Sequence, residues 1–463
     1  MSTRDLLRRT AEIASDYLES LDERPVRPDA TIDELRAVLG GPLPEGPSSA
    51  SEVIEELARD ADPGLMGMPS GRFFGFVIGG GIPAAIAADW LTSAWDQNAG
   101  LALPTPSAAV VEDVAAQWLK ELLGLPETAS YGLVTGCQMA HFTCLAAARH
   151  HLLADLGWDV ERQGLNGAPP IRVVASTTRH ATVDRALRFL GIGTAAIDEV
   201  PADDSGRMLM DELRVALASG SGPTIVCVQA GELNTGAFDD FPAAAAACAA
   251  AGAWLHVDGA FGLWAAASPS LRQLTRGAEL ADSWATDAHK WLNVPYDSGL
   301  AFCAHPASHR AALGIRSAYL VHGDAAGARD AVDFNPEHSR RARAFPIYAT
   351  LRTLGRTGVA ELIESNCARA RELAEGLAEL PGCEVLNEVV LNQVLIRFED
   401  DARTDAVMSA VQESGEAWMS GTTWNGSKTI RLSVSNWQTN EDDVQRTIAA
   451  FAANSVSVAG AKA

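Results

Sequence analysis

Between residues 131 and 257 the chain alternates short apolar runs with longer segments of helical periodicity. Tyr131-Gly132-Leu133-Val134 precedes a predicted helix over 139–153. Ile171-Arg172-Val173-Val174-Ala175 precedes one over 181–190. The run 224–228 precedes one around 243–251, and Trp254-Leu255-His256-Val257 opens the next apolar run. Strands that are apolar throughout, rather than at alternate positions, are buried on both faces. With a helix after each, they predict an α/β fold built on a mainly parallel sheet with helices on both sides. Ligands of such sheets bind beyond the carboxyl ends of the strands. Polar residues at those ends are therefore the candidate functional residues.

The flanks read differently. Residues 4–22 have the spacing of an amphipathic helix. Residues 24–49 are rich in Pro and Gly and form an arm with one short helix over 31–39, suited to wrapping a neighbouring domain or subunit. A further helix is predicted over 110–123. Residues 314–343 break the rhythm and predict a long mobile segment. Helical periodicity returns over 347–380, with interruptions near Gly355 and Gly358. It leads into a unit with strands at 383–386, 392–398 and 429–434, helices at 403–414 and 441–452, and a frayed tail from 454. The expected divisions are an arm over 1–75, a large domain over 76–346 and a small C-terminal domain over 347–463.

Composition excludes some classes of function. The formal charge is −23, from 36 Lys and Arg against 59 Asp and Glu. That opposes nucleic-acid binding, which needs a basic surface. No apolar run reaches the roughly 20 residues of a membrane helix, and no basic-then-apolar leader opens the chain. The seven cysteines are dispersed and form no CxxC pair. They read as free thiols of a cytoplasmic protein, and no metal-ligand spacing is present.

The chemistry is carried by two residues. Asp258 ends the apolar run Trp254-Leu255-His256-Val257, and Lys290 lies 32 residues later in Asp287-Ala288-His289-Lys290-Trp291. An amine beside apolar neighbours is poorly hydrated, and desolvation lowers its pKa and makes it a nucleophile. A strand-end carboxylate followed by such a lysine suits pyridoxal phosphate. The lysine carries the cofactor aldehyde as a Schiff base, and the aspartate keeps the pyridine nitrogen protonated so that the ring absorbs electrons. Asp258 also reads as a helix cap. The turn Thr135-Gly136-Cys137-Gln138 stands between a strand and a helix, where backbone N–H groups bind phosphate. His180 follows a strand and precedes a helix, so it is placed either to stack on a ring or to cap the helix.

Together these segments resemble the group II pyridoxal-phosphate-dependent amino-acid decarboxylases, from Arg72-Phe73-Phe74-Gly75 through Asp89-Trp90-Leu91-Thr92-Ser93 to Arg431-Leu432-Ser433-Val434-Ser435-Asn436. The resemblance implies the fold-type-I architecture: a large, mainly parallel seven-stranded sheet domain, a small C-terminal α+β domain and an N-terminal helical arm. It also implies a homodimer with active sites at the interface. By resemblance Lys290 is the Schiff-base lysine, Asp258 the pyridinium partner, Ala260 a ring-packing residue and His180 the stacking histidine. His289, Ser283 and the turn Gly136, Cys137, Gln138 fall where the family holds phosphate. Asn234 lies on a loop approaching the cofactor, and Phe74, Phe76 and Val77 fall where the family lines its substrate pocket. The implied reaction is decarboxylation of an L-amino acid to an amine and CO2 through a Lys290 aldimine. The alternative is an aldehyde synthase or a carbon–carbon lyase on the same scaffold.

This chain departs from the family at two places. Asp287 stands where the family often has Asn, so a carboxylate near the phosphate must turn away or pair with a cation. In the loop, where the aromatic branch protonates with a tyrosine, Phe334 is aligned; Tyr319 and His338 are the other candidate acids. Phe73, Phe74, Phe76 and Val77 read either as an apolar pocket edge, favouring an aromatic or apolar substrate, or as core. Arg341 and Arg343 read either as attracting an acidic side chain or as a solvated basic face.

Overall fold

The apolar runs assemble into one sheet of seven strands: β1 (Ser130–Val134), β2 (Arg172–Ser176), β3 (Ile197–Val200), β4 (Thr224–Gln229), β5 (Trp254–Asp258), β6 (Ser283–Asp287) and β7 (Gly299–Cys303). In this computed structural model residues 2–315 and 328–460 are described. Tyr319 lies outside the described residues. The strand order is β1-β7-β6-β5-β4-β2-β3. Neighbours from β3 to β6 run parallel, and β7 runs antiparallel to both β6 and β1. Every residue of β1, β4, β5, β6 and β7 is buried, as strands covered on both faces require.

The helix Cys137–Ala154 covers one face of the sheet and is itself buried nearly all round. Leu145 and Leu153 pack with Val173, Leu187 and Ile225 in the core. Because β7 returns antiparallel, its first residue meets the last residues of β6 and β1: Gly299 pairs with Asp287 and with Val134. The ends of β1, β4, β5 and β6 and the start of β7 therefore lie along one edge.

Three strands of this sheet escape the sequence reading: β3, β6 and β7. β6 reads Ser-Trp-Ala-Thr-Asp, too polar to be recognised as a buried strand. Of the segment 314–343 expected to be mobile, residues 316–327 lie outside the described residues, and buried polar contacts hold the part over 328–343. Asp330 accepts the Ala102 N–H at 2.8 Å, Asp333 pairs with Arg310 at 2.9 Å, and Arg340 pairs with Glu112 at 2.6 Å with both side chains buried.

The chain divides into two compact units. One comprises residues 79–370 and 387–393, and the other residues 1–78, 371–386 and 394–463. This differs from the expected divisions at 75 and 346, because the N-terminal arm joins the C-terminal strands. The Arg72 guanidinium, 1% exposed, donates to the carbonyls of Asp22 and Arg24. Phe73 stacks on Trp418 at 5.2 Å, and the Phe74 N–H donates to the Trp418 carbonyl. The sheet of the C-terminal segment has the order β10-β11-β9-β8, from β8 (Cys383–Val385), β9 (Gln393–Phe398), β10 (Ser420–Trp424) and β11 (Ser427–Ser433).

The arm carries helices Thr3–Glu19 and Ile32–Leu39 and an unpredicted third, Ala50–Ala61. The helical stretch Ala344–Ala378 breaks at Gly355, whose φ of 61° suits glycine. The tail expected to fray instead continues the helix Glu441–Gly460. Among the described residues no helix is long and apolar enough to cross a membrane.

Candidate active site

Lys290 stands in the turn after β6. Its neighbours Ala288, Trp291 and Leu292 are buried. The Trp291 indole N–H donates to Asn366 at 2.9 Å, and the N–H groups of Ala288 and His289 both donate to the Ser298 carbonyl. This anchoring holds the amine at the sheet edge. Lys290 Nζ lies 3.1 Å from Asp287 Oδ2. The expected low-pKa amine is corrected by this contact. Burial pushes the ammonium pKa down, but the Asp287 carboxylate, with smaller contributions from Cys137 and Asp258, outweighs it and holds it above the ordinary lysine value.

Asp287 thus has the cation that a carboxylate at this place needs. Its Oδ1 also accepts the Cys137 N–H at 2.6 Å, at the first residue of the helix Cys137–Ala154. The phosphate-binding amide predicted there is occupied by the chain's own carboxylate.

Asp258, 6% exposed, ends β5. Burial alone would raise its pKa. His141, then His180 and Lys290, outweigh burial and hold the carboxyl well below the usual carboxylate range. Its Oδ1 accepts the Ala260 N–H at 3.2 Å, and its Oδ2 lies 3.4 Å from His141 Nε2. Ala260 links the two acids, since its carbonyl accepts the Asp287 N–H at 3.0 Å.

His180 caps the helix Ala181–Phe189, its Nδ1 accepting the Thr182 N–H. The imidazole is exposed, yet close enough to Asp258 to help keep it ionised. His289 is buried, and its Nδ1 accepts the Ser298 N–H at 3.1 Å. A neutral ring accepting at Nδ1 carries its proton on Nε2, which lies 3.6 Å from Asp287 Oδ1. Its ring stacks on Tyr296 at 4.3 Å. Asn234 is pinned by Glu232, which accepts both its backbone N–H and its Nδ2–H.

Other expected site residues lie elsewhere. Ser283 starts β6, the opposite end from Asp287, about 13 Å away at strand rise. Its hydroxyl serves Trp254 and His256. This corrects its placement with the phosphate group. Phe74 and Val77 are core residues, 0% and 3% exposed, and only Phe76 reaches solvent. Phe334 packs against the Arg329 guanidinium and the His309 ring, and His338 lies beside Gly100. Arg341 and Arg343 are each committed to a carboxylate at 2.7 Å, Asp89 and Asp297 respectively.

The sequence reading missed His141, His256, Tyr296 and Ser298. A signal existed for the first two. His141 is four residues after Cys137 on one helix face, and His256 is two before Asp258 on one strand face. The donor atoms of Cys137, His141 and Asp258 lie within 4.8 Å of one another. Burial raises the Cys137 pKa well above the ordinary thiol value. Cys137 Sγ lies 3.4 Å from His141 Nε2, so the trio forms a hydrogen-bonded group.

Two observations match these residues to a phosphorylated aldehyde cofactor. The Gln138 side-chain amide is shut off from solvent, with no partner among the described residues, beside the Gly136 turn. A Cβ at Gly136 would stand 3.1 Å from His289 Cε1, so glycine keeps that cradle open. An amine, an anion-binding turn and a buried, ionised strand-end carboxylate then converge at one sheet edge.

Residues 33–399 match the pyridoxal-dependent decarboxylase conserved domain. The chain is 26% identical to the aromatic-L-amino-acid decarboxylase of Bacillus atrophaeus, over 95% of this chain and 93% of the relative. It is 24% identical to the phenylacetaldehyde synthase of Arabidopsis thaliana, over 94% and 92%. The crystal structure of Oryza sativa TDC with PLP and tryptamine superposes with a TM-score of 0.92 at 24% identity, covering 98% of both chains. The chain belongs to the pyridoxal-dependent decarboxylase family, and its cofactor is pyridoxal phosphate.

Proposed function

We propose that this enzyme decarboxylates an aromatic or apolar L-amino acid, with Lys290 and Asp258 as the residues on which the reaction turns. The observation that carries the assignment of roles is their convergence. Asp258 ends β5 and Lys290 follows the end of the adjacent parallel strand β6, and the Lys290 ammonium is among the charges that keep Asp258 ionised. Pyridoxal phosphate, when bound, supplies an aldehyde for the lysine amine and a pyridine ring that takes up the electron pair left by departing CO2. Lys290 would hold the aldehyde carbon and Asp258 the ring nitrogen. With the Cys137 amide taken by Asp287, the Gln138 side chain beside Gly136 and His289 Nε2–H would hold the phosphate, with Ala260, Asn234 and His180 around the ring.

The chain's own groups prepare this chemistry. Asp287 keeps the proton on Lys290 Nζ, and the N–H of Cys137 offsets part of the Asp287 charge. His180, on the exposed side, is placed to meet a substrate carboxylate. The loop acids Tyr319 and His338 stay candidates for protonating the product carbon. The preference for an aromatic or apolar side chain rests on the named activities of the relatives. Phe76 is the apolar residue of its segment that reaches solvent.

A second copy of the chain would complete the site. Trp90, Leu91, Trp95 and Leu103 are exposed over one short stretch, which supports a homodimer. All seven cysteines are free, which suits the cytoplasm.

A panel of amino acids assayed for CO2 tests the reading. Release is expected from aromatic or apolar members and lost in Lys290→Ala, together with the visible absorbance of the lysine-bound cofactor. Aldehyde and hydrogen peroxide in place of amine would assign the chain to aldehyde synthesis, which the similarity to phenylacetaldehyde synthase keeps as the second reading.

A further inference from the structure

Behind Asp258 a line of buried side chains runs along the sheet. Trp254, His256 and Asp258 alternate along β5 and so share one face. Ser283 of β6 lies opposite His256 in register, and His141 descends from the helix Cys137–Ala154. Trp254 Nε1 lies 2.9 Å from Ser283 Oγ. Ser283 Oγ lies 2.9 Å from His256 Nδ1, and His256 Nε2 lies 2.9 Å from His141 Nδ1. His141 Nε2 then stands 3.4 Å from Asp258 Oδ2. Ser283, His256 and His141 are 0% exposed and Trp254 is 2% exposed.

The chemistry of the two ends favours one direction along the line. An indole N–H only donates, and a carboxylate only accepts. With an N–H rather than a lone pair of His141 set against Asp258, the line runs one way, and the same Nε2 lies 3.4 Å from Cys137 Sγ. Trp254 donates to Ser283, Ser283 donates to His256 Nδ1, His256 Nε2–H donates to His141 Nδ1, and His141 Nε2–H faces Asp258. The opposite tautomers would set an imidazole lone pair against the carboxylate. His256 is pushed down to about 3, by burial first and by His141 second. It therefore stays neutral and acts by tautomer rather than by charge.

We propose that His256 is a positioning residue for the reaction: held by Ser283 and Trp254, it fixes the His141 tautomer whose N–H faces Asp258, so that Asp258 stays an anion directed at the cofactor's ring nitrogen. This rests on the reading above that Asp258 partners that nitrogen. The relay answers a physical need. A carboxylate with this burial drifts towards its neutral form, and a neutral Asp258 would not hold a proton on the ring. The other groups facing Asp258 are Cys137, His180 and Lys290.

The test uses holoenzyme loaded with pyridoxal phosphate labelled with 15N in the ring, and follows the ring-nitrogen shift across the neutral pH range. Wild type is expected to stay protonated throughout, and Asp258→Asn to lose the proton. His256→Leu removes the donor to His141. It should weaken the ring nitrogen's hold on its proton by about tenfold or more, one pKa unit, and lower kcat with little change in KM. His256→Gln, whose side-chain amide can still donate to His141 Nδ1, should restore the wild-type shift, and Ser283→Ala should fall between.

Thermal unfolding identifies which variants are folded, and if His256→Leu is not, Ser283→Ala carries the test. A folded His256→Leu or Ser283→Ala with the wild-type shift at every pH overturns the relay, as does a folded His256→Gln that behaves like His256→Leu. A wild type whose ring nitrogen is unprotonated overturns the role of Asp258 itself.

Discussion

Replacing Asp287 by asparagine removes one charge and almost nothing else. The side chain is isosteric, and an amide oxygen can still accept the Cys137 N–H that Asp287 Oδ1 now takes at 2.6 Å. What disappears is the carboxylate 3.1 Å from Lys290 Nζ. At that separation a unit-charge pair is worth about 1.3 kcal/mol at a water-like dielectric and about 5 kcal/mol at an effective dielectric of about 20. These correspond to about 1 and 4 pKa units. The Lys290 side chain keeps 21% of its exposure, so the lower part of the range applies.

The sign follows from the balance of forces. Burial favours the neutral amine, and the Asp287 carboxylate opposes it more strongly than any other group. Once it is gone, burial meets less opposition and the pKa falls. Competitive acetylation of the apoprotein, read by mass spectrometry of the Lys290 peptide against pH, gives the midpoint directly. In Asp287→Asn the midpoint should move towards neutrality. Stability offers a second readout. A raised lysine pKa stabilises the fold fully below the unfolded value of about 10.4 and loses that contribution as pH rises through the folded value. The stability gap between wild type and variant should therefore close in alkali. An unchanged acetylation midpoint would refute the pairing as the cause.

Three other perturbations have definite outcomes. Gly299→Ala would set a Cβ 2.6 Å from Gly136 N; an overpacking cost of about 1–3 kcal/mol is expected in thermal unfolding, with weaker cofactor retention because the displaced backbone is the phosphate turn. Arg340→Met leaves Glu112 buried without its closest partner and should cost about 3–5 kcal/mol in urea unfolding. Arg340→Met combined with Glu112→Leu should cost less, and equal or greater loss in the double variant would contradict the account. His309 is pushed down to about 3 by burial first and Arg329 second. Its unfolded form takes up a proton that the folded form refuses, so stability falls as pH drops from about 6.5 to 3. His309→Gln should flatten that slope by up to about 1.4 kcal/mol per pH unit.

What the sequence disclosed follows from which interactions are local. Strands β1, β2, β4 and β5 are apolar runs, and their burial is written in their composition. Strand β6 is not, because its polar groups are satisfied by partners far along the chain: Ser283 by Trp254 and His256, and Asp287 by Cys137. Lys290 and Asp258 stood out because a strand-end acid and a lysine flanked by apolar residues are unusual on their own. His141 and His256 were not singled out. Their link arises only when the helix Cys137–Ala154 is laid on β5, a register no window of sequence contains. The misplacement of Ser283 has the same origin. The family resemblance suggested the phosphate, but a five-residue strand carries it to the other end of the sheet.

The site has to keep two buried carboxylates, Asp258 and Asp287, ionised at the ends of neighbouring strands. Each alone would be costly in so dry a place. One helix answers both. Its first amide, Cys137 N–H, binds Asp287, and its fifth residue, His141, faces Asp258. The spacing of four residues is what lets a single helix do this, since four residues return a helix to nearly the same face. An added residue between Cys137 and His141 would turn the imidazole by about 100° off Asp258 while leaving the Cys137 amide in place. The position of this helix on the sheet therefore sets both the proton on Lys290, through Asp287, and the charge of Asp258, through the His256 line. The anion site and the electron-sink site of the enzyme are thus parts of one packing arrangement.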